Sequence, residues 1–335
     1  AEELKVVWER LIVESGARVL LHAFVQGVDV TGGRKSSIVV ATKSGLQRVE
    51  ASVVVDASGD ADVCHFAGFG YEMAGSIDPA QTLTTTFRMA NVDHEARATI
   101  SKDQLHALMA EAAASGDYDL PRREGSDHIT PIPGVIATVM TRIGHVEGVG
   151  DEVRNASDPH ILTRAEIEGR RQAVEYARFL VDRVPGYANA ALVAVSSQIG
   201  LRETRRVFGD YRLTREDVLV ARQFDDQIGL CGAPIEDHHG GEGTGTTWQY
   251  LPDGSAVGIP LSTLIVRDGV NTLIAGRCFS ASHDAQASVR SMAQCMAMGQ
   301  AAGITAAIAI ARSEAVRDVP YGVVQESLRS RGAIL

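Results

Sequence analysis

The residues best suited to chemistry lie in "EDHHGGEGTG", residues 236–245, where Glu236, Asp237, His238 and His239 precede a glycine-rich loop. An imidazole titrates near neutrality, so His238 or His239 can act as a general base toward a hydroxyl or a C–H. Two other uses compete with that one. Adjacent histidines beside carboxylates are sometimes metal ligands, but neighbouring side chains rarely converge on one ion, so no metal is expected. The stretch can also be a solvated loop. A second candidate is "LRETRR", which brings Arg202, Glu203, Arg205 and Arg206 together. Guanidinium forks grip carboxylates through paired hydrogen bonds, which makes Arg205 a candidate for acting on substrate. The same residues can instead anchor part of the fold through ion pairs, with Glu203 as the internal partner. Arg142 and His145, three residues apart in "MTRIGHVEG", fall on opposite faces if that stretch is a strand, so at most one meets a pocket.

These candidates need a framework large enough to hold them. The chain has 335 residues, 45% of them hydrophobic, enough for one large domain or two. A net charge of −10 argues against nucleic acid as a partner, because phosphates demand concentrated Lys and Arg. Cys64, Cys231, Cys278 and Cys295 stand far apart with no C-x-x-C spacing. That excludes a disulfide framework and a structural zinc site, favours packed thiols, and fits a reducing cytoplasm. The opening "AEELKVVWER" is charged and helical, unlike a signal peptide. The apolar stretch Ala301 to Ala311 is too short to cross a bilayer, so no membrane span is expected.

Periodicity gives the elements. In "EELKVVWERLIVESG", Leu4, Val7, Trp8, Leu11 and Ile12 share one helical face and Gly16 can close the helix. "ARVLLHAFVQGVDV" reads as one or two strands, and "TGGRK" and "KSG" as the turns of a three-stranded meander. The meander runs into "VVVDASGDADV", a buried strand followed by a loop of small and acidic residues that must approach something closely. From about Gly68 to Val270 the texture changes to alternating strands, with helices over "SKDQLHALMAEAAASG" and "TRAEIEGRRQAVEYARFLVDRV", the second ending before Pro185. The style of the start then returns in "TLIAGRCFS", a strand delivering Gly276 and Arg277 to its end, followed by a long helix of small residues. That helix includes Gly299 and Gly303, which permit close approach of a backbone or flat ligand; it can equally be a tightly packed core helix. The predicted fold is α/β. Residues 1–75 and 260–335 form one discontinuous domain, and residues 76–259 an inserted α+β substrate or cap domain.

Three of these segments, "VVVDASGDADVCHFAGFGYE", "GLRETRRVFGDYRLTREDVL" and "LIAGRCFSASHDAQASVRSMAQCMAMGQAAG", together resemble the FAD-dependent oxidoreductase family with the glutathione-reductase-type, Rossmann-like FAD-binding fold. The resemblance implies FAD as cofactor. It places Ala57, Ser58, Gly59 and Asp60 beside the adenosine and pyrophosphate, Gly276 and Arg277 beside the ribityl–pyrophosphate region, and Ser288, Val289, Arg290 and Ser291 at the flavin's pyrimidine edge. Val25 would border the adenine. Arg290 could stabilise negative charge on a reduced flavin or pair with Asp284. Proteins of this kind also carry a βαβ unit whose G-x-G-x-x-G turn takes the pyrophosphate. No such spacing occurs here: the glycine pairs 68/70, 148/150, 241/243 and 243/245 all lack the third small residue.

The resemblance therefore implies an FAD-dependent oxidoreductase, or the larger part of one, taking a hydride from a small or medium polar substrate. A missing segment or a partner chain would supply the G-x-G-x-x-G unit, and an oligomer is possible. The competing expectation is a non-catalytic or degenerate flavoprotein module that associates with such a partner. A lyase or hydrolase using the "EDHHG" loop without redox chemistry is a third.

Overall fold

The two ends of the chain meet in a short parallel sheet. Strand Thr272–Ile274 lies beside Val54–Asp56 in the register Thr272↔Val54, Leu273↔Val55 and Ile274↔Asp56. Parallel neighbours cannot be joined by a tight turn, so everything between them must leave the sheet and return. The structure, a computed structural model, describes residues 2–29, 36–239 and 245–335.

Ahead of that sheet lies the expected meander, Phe24–Asp29, Ser36–Thr42 and Gly45–Ala51, antiparallel in that order. The "TGGRK" turn falls outside the described residues. The second turn is two residues long, Lys43 and Ser44, with Gly45 at φ +106° and the Thr42 hydroxyl donating to the Gly45 carbonyl at 2.9 Å. The N-terminal helix forms as read, Glu2–Glu14, with Gly16 at φ +79° closing it. Among the described residues its apolar face is left largely uncovered: Trp8 is 41% exposed and Leu11 49%. Residues 17–23 do not become a strand, and Val19, Leu20 and Leu21 remain exposed. A strand must pair its backbone groups, and among the described residues no strand pairs with this stretch.

Within the middle segment a four-stranded antiparallel sheet has the order Ser126–Ile129, Ile136–Val139, Phe87–Ala90, Ala191–Val195. Phe87 and Met89 alternate inward from their strand onto the helices Lys102–Ser115 and Pro159–Arg183. They share one core with Leu105, Met109, Tyr176 and Phe179. Ser101 and Gln104 close a capping box on the first helix. The second begins at Pro159, four residues before the sequence reading places it. Asp158 caps it by accepting from His160 N at 2.8 Å, and proline is preorganised at the first helical position. It ends at Arg183, because Val184 precedes Pro185 and is pushed out of helical geometry.

A second core gathers Val257, Ile259, Leu273, Phe279, Met298 and Leu328. Residues between 213 and 259 contribute to it alongside the C-terminal segment. Helix Met292–Arg312 starts well before the Ala301 stretch and reaches the length and apolarity of a bilayer span. Met298, Ala301, Ala302 and Ala309 nevertheless pack in the core, the placement of a core helix. Its other side, including Met292, Met296 and Ile310, is exposed. No described atom lies within 4 Å of a β-carbon built on Gly299 or Gly303.

Candidate functional site

The loop after Val54–Asp56 is folded by its own acid. Asp56 is buried; its Oδ1 accepts from Ser58 N at 3.1 Å and Ser58 Oγ at 2.7 Å, and its Oδ2 accepts from Cys64 N at 2.9 Å. Ser58 Oγ also accepts from Asp62 N at 2.8 Å, so that hydroxyl is committed to the loop. Gly59 stands at φ +81°, and a β-carbon there would meet Arg277 Cζ at 2.7 Å. Only glycine lets the Arg277 guanidinium lie flat on this backbone. Arg277 Nη2 donates to Asp60 Oδ1 at 2.7 Å, and Thr204 Oγ1 donates to the same oxygen at 2.6 Å. Asp60 thus ties the loop to the end of strand Thr272–Ile274.

Ala57, Ser58, Gly59, Gly276 and Arg277 together line a cavity of about 310 Å³, completed by Arg290, Met292 and Cys295 among others. Arg277 Nε is buried and, among the described residues, has no hydrogen-bond partner, and Gly276 has φ +93°. The start of helix Met292–Arg312 borders the cavity, and Ser291 precedes it without a side-chain cap bond. The remaining expected residues lie elsewhere. Val25 is half-buried and paired with Val40 in the meander. Ser288 and Val289 are buried in helix His283–Val289, with the Ser288 hydroxyl donating to Ala233 O at 2.7 Å.

A second cavity, of about 700 Å³, is lined by Glu236, His238, Arg122, Thr246 and Trp248 among others. Arg202 and Arg290 line both cavities and form the boundary between them. The "EDHH" stretch splits by strand alternation: Glu236 and His238 reach the large cavity, whereas Asp237 and His239 do not. His238 is buried, with Nε2 3.0 Å from Glu236 Oε1 and Nδ1 3.1 Å from Thr246 Oγ1. Burial lowers its pKa, and Arg202 and Arg122 add to that against the pull of Glu236. His239 instead lies 3.1 Å from Thr247 Oγ1. Residues 240–244 of the loop fall outside the described residues.

Behind this wall lies a buried charge network. His283 Nε2 is 3.1 Å from Asp237 Oδ1, and its Nδ1 is 3.0 Å from Glu203 Oε1. Burial would lower the pKa of this imidazole, but the two carboxylates outweigh it and push the value up to about 10. Glu203 also pairs with Arg206, which pairs in turn with Glu72, all three buried. Two buried amides continue the chain. Arg290 Nη2 donates to Gln81 Oε1 at 2.7 Å, Gln81 Nε2 donates to Gln286 Oε1 at 3.1 Å, and Gln286 Nε2 donates to the carbonyls of Arg202 and Arg277. His145 is a packed neutral imidazole: Nδ1 accepts from Ala156 N at 3.1 Å, leaving Nε2 to donate to Gln81 O at 2.9 Å.

Two sequence expectations change here. Arg205 lines neither cavity; its Nη1 donates to Asp60 O at 2.8 Å and meets Asp62, so it braces the loop rather than facing substrate. Arg290 does not pair with Asp284, which meets Arg215 at 3.2 Å. His283, Gln81, Gln286 and Arg122 were not singled out in the sequence; His283 and Gln286 lie within the third segment of the family resemblance, whereas Gln81 and Arg122 stand in no recognisable motif. Among the described residues, no group of three or more His, Cys, Asp and Glu gathers to hold a metal.

The profile of the FAD dependent oxidoreductase family matches residues 1–328. The chain belongs to that family. Comparison with curated proteins gives no match. Among solved structures, the chain is similar to BexE, studied for oxidation during BE-7585A biosynthesis, at 13% identity and TM-score 0.44, covering 98% of this chain and 46% of that one. It is also similar to CabE, an aromatic hydroxylase from angucycline biosynthesis, at 15% identity and TM-score 0.35, covering 63% of this chain and 35% of that one. A third is p-nitrophenol 4-monooxygenase PnpA from Pseudomonas putida DLL-E4, at 10% identity and TM-score 0.40, covering 97% and 56%. The chain therefore spans roughly a third to just over half the length of these proteins. The cofactor of an FAD-dependent oxidoreductase is FAD. The smaller cavity fits part of it, because Arg277 Nε has no partner and suits an anionic phosphate beside the Gly59 backbone.

Proposed function

We propose that this FAD-dependent oxidoreductase removes a hydride and a proton from a polar substrate held in the 700 Å³ cavity. The observation that carries this reading is the boundary formed by Arg202 and Arg290, which joins His238's cavity to the one lined by Gly59, Gly276 and Arg277. When bound, FAD supplies the two-electron acceptor. Ala57, Ser58, Gly59, Gly276 and Arg277 would hold it, with Asp60 fixing the arginine. His238 takes the proton. Glu236 occupies Nε2, which keeps Nδ1 as the basic nitrogen with the Thr246 hydroxyl as its neighbour. At the substrate a C–H bond gives up its electron pair as hydride, the adjoining O–H gives its proton to His238, and the C–O bond becomes C=O. The test is the visible absorption spectrum of the purified protein, then anaerobic bleaching by candidate substrates. A flavin spectrum that substrates bleach in the parent protein and not in His238→Gln supports the reading; a protein that takes up no flavin counts against it.

A second reading concerns what completes the chain. The exposed apolar face of helix Glu2–Glu14 and the exposed side of helix Met292–Arg312 support docking of a G-x-G-x-x-G βαβ segment, on a partner chain or as further sequence. If so, Leu11→Glu leaves the melting temperature of this chain unchanged while abolishing capture of such a segment. A reducing, cytoplasmic setting is part of the proposal, supported by the buried thiols Cys64, Cys231 and Cys278.

A further inference from the structure

Among the described residues, those lining the large cavity carry more positive than negative charge. Lys102, Arg122, Arg202 and Arg290 face it, against two carboxylates, Glu124 and Glu236. Glu124 pairs with Arg142 at 2.7 Å, and Glu236, 3.0 Å from the imidazole of His238, keeps its charge turned toward Arg290 and Arg202. Arg122 is only 8% exposed; among the described residues its Nε has no hydrogen-bond partner, and its Nη1 reaches the Val139 carbonyl at 3.4 Å. Arg202 donates to Thr82 O and Thr84 Oγ1, and among the described residues it meets no carboxylate within ion-pair distance. Arg290 gives Nη2 to the neutral amide of Gln81 and leaves Nε without a partner. Among the described residues no carboxylate lies within ion-pair distance of these three guanidiniums; Glu236 offsets part of their charge from farther away, and an anion in the cavity would offset more of it.

Arg202 and Arg290 also border the smaller cavity, so phosphate groups there could account for their charge. Arg122 and Lys102 line the large cavity alone. We propose that this cavity takes an organic carboxylate substrate, its carboxylate gripped by the Arg122 fork and the remainder extending toward His238 and the Arg202–Arg290 boundary. A planar carboxylate matches a guanidinium fork through two parallel hydrogen bonds. This proposal rests on the flavin-oxidoreductase reading for its chemistry, but the anion site stands or falls separately.

The chain has two tryptophans, and Trp248 lines the cavity, so Trp8→Phe leaves a single reporter there. In that background the fluorescence is titrated with succinate, uncharged succinamide and inorganic phosphate, with and without added FAD. Succinate gives saturable quenching and succinamide none. Arg122→Gln weakens succinate about ten-fold or more, as loss of a charged hydrogen-bonding partner does. Lys102 is exposed, so Lys102→Gln folds regardless and still weakens succinate measurably if Arg122→Gln is unstable. Succinate and succinamide acting alike, phosphate matching succinate, or titrations insensitive to both substitutions overturns the proposal. Carboxylate binding by a protein that takes up no flavin keeps the anion site and removes the redox reading. A flavin-loaded protein blind to carboxylates does the reverse.

Discussion

Asp237 and His238 are consecutive residues that serve opposite sides of one wall: Asp237 Oδ1 lies 3.1 Å from buried His283, while His238 lines the large cavity. The same alternation that points His238 into the cavity points its neighbour at an anchor. The anchor, His283, is buried, so the proposed base is positioned by a contact outside the cavity. His238 also accepts main-chain bonding at its carbonyl from Thr82 N at 2.8 Å, which joins this wall to the segment carrying Gln81.

His238→Gln should lower turnover by roughly a hundred-fold or more, the range for a lost general base, with flavin content unchanged. Burial lowers the imidazole's pKa from its usual 6.5, and the neighbouring arginines reinforce that effect. The parent enzyme's rate should therefore rise with pH through a midpoint below 6.5 and be flat near neutrality. A rising limb centred well above 6.5 would assign the base to another group.

Gly59→Ala should cost about 1 kcal/mol of stability for the backbone at φ +81°, and in addition push Arg277 from its seat, since the new methyl would lie 2.7 Å from Cζ. Gly16→Ala is the control: its φ is +79°, yet nothing lies within 4 Å of the added carbon. Both should melt lower, Gly59→Ala by more because it also displaces Arg277. Only Gly59→Ala should lose flavin occupancy, read from the absorbance of the purified protein. Equal occupancy in the two variants would remove Arg277 from the cofactor site.

Arg206→Met tests the buried network from its centre. Arg206 is 2% exposed and bridges Glu203 and Glu72, so its loss leaves two buried carboxylates short of a partner. A destabilisation of about 3–5 kcal/mol is expected in denaturant unfolding. A change under about 1 kcal/mol would mean that Arg212 and His283 suffice as counter-ions.

How much of this was legible in sequence depends on how local each signal is. The Asp56–Asp60 loop, the meander and the capped helices announce themselves, because their chemistry is set by residues within a few positions of one another. Of the one or two strands expected across "ARVLLHAFVQGVDV", one formed, Phe24–Asp29, and residues 17–23 did not join it, because pairing depends on a neighbour that residue pattern alone does not supply. Alternation separates His238 from His239 but cannot say which faces a cavity. In "LRETRR", likewise, the pairing of Arg205–Val207 with Tyr71–Met73 decides that Arg205 braces the loop while Arg202 reaches the boundary. Gln81, Arg122 and His283 lie up to about two hundred residues apart, and only the folded chain brings them to the walls of the site.

His283 gives the structure a pH dependence of definite sign. Burial opposes its charge, but Asp237 and Glu203 hold the folded imidazolium to a pKa of about 10, above the usual 6.5. Between those values the native state binds a proton that the unfolded chain has released, so stability falls as pH rises. The contribution is complete below about 6.5, declines through the interval and is gone above about 10. Glu203 runs the other way: burial would raise its pKa, His283 and Arg206 outweigh that, and its contribution fades only as pH drops below the ordinary carboxylate range. Denaturant unfolding at pH 6.5, 8 and 9.5 should show progressive loss of stability in the parent protein. His283→Gln should be less stable at pH 6.5 by about 3–5 kcal/mol and nearly flat across the same interval. If the parent and the variant lose stability in parallel from pH 6.5 to 9.5, His283 is not the imidazolium of this network.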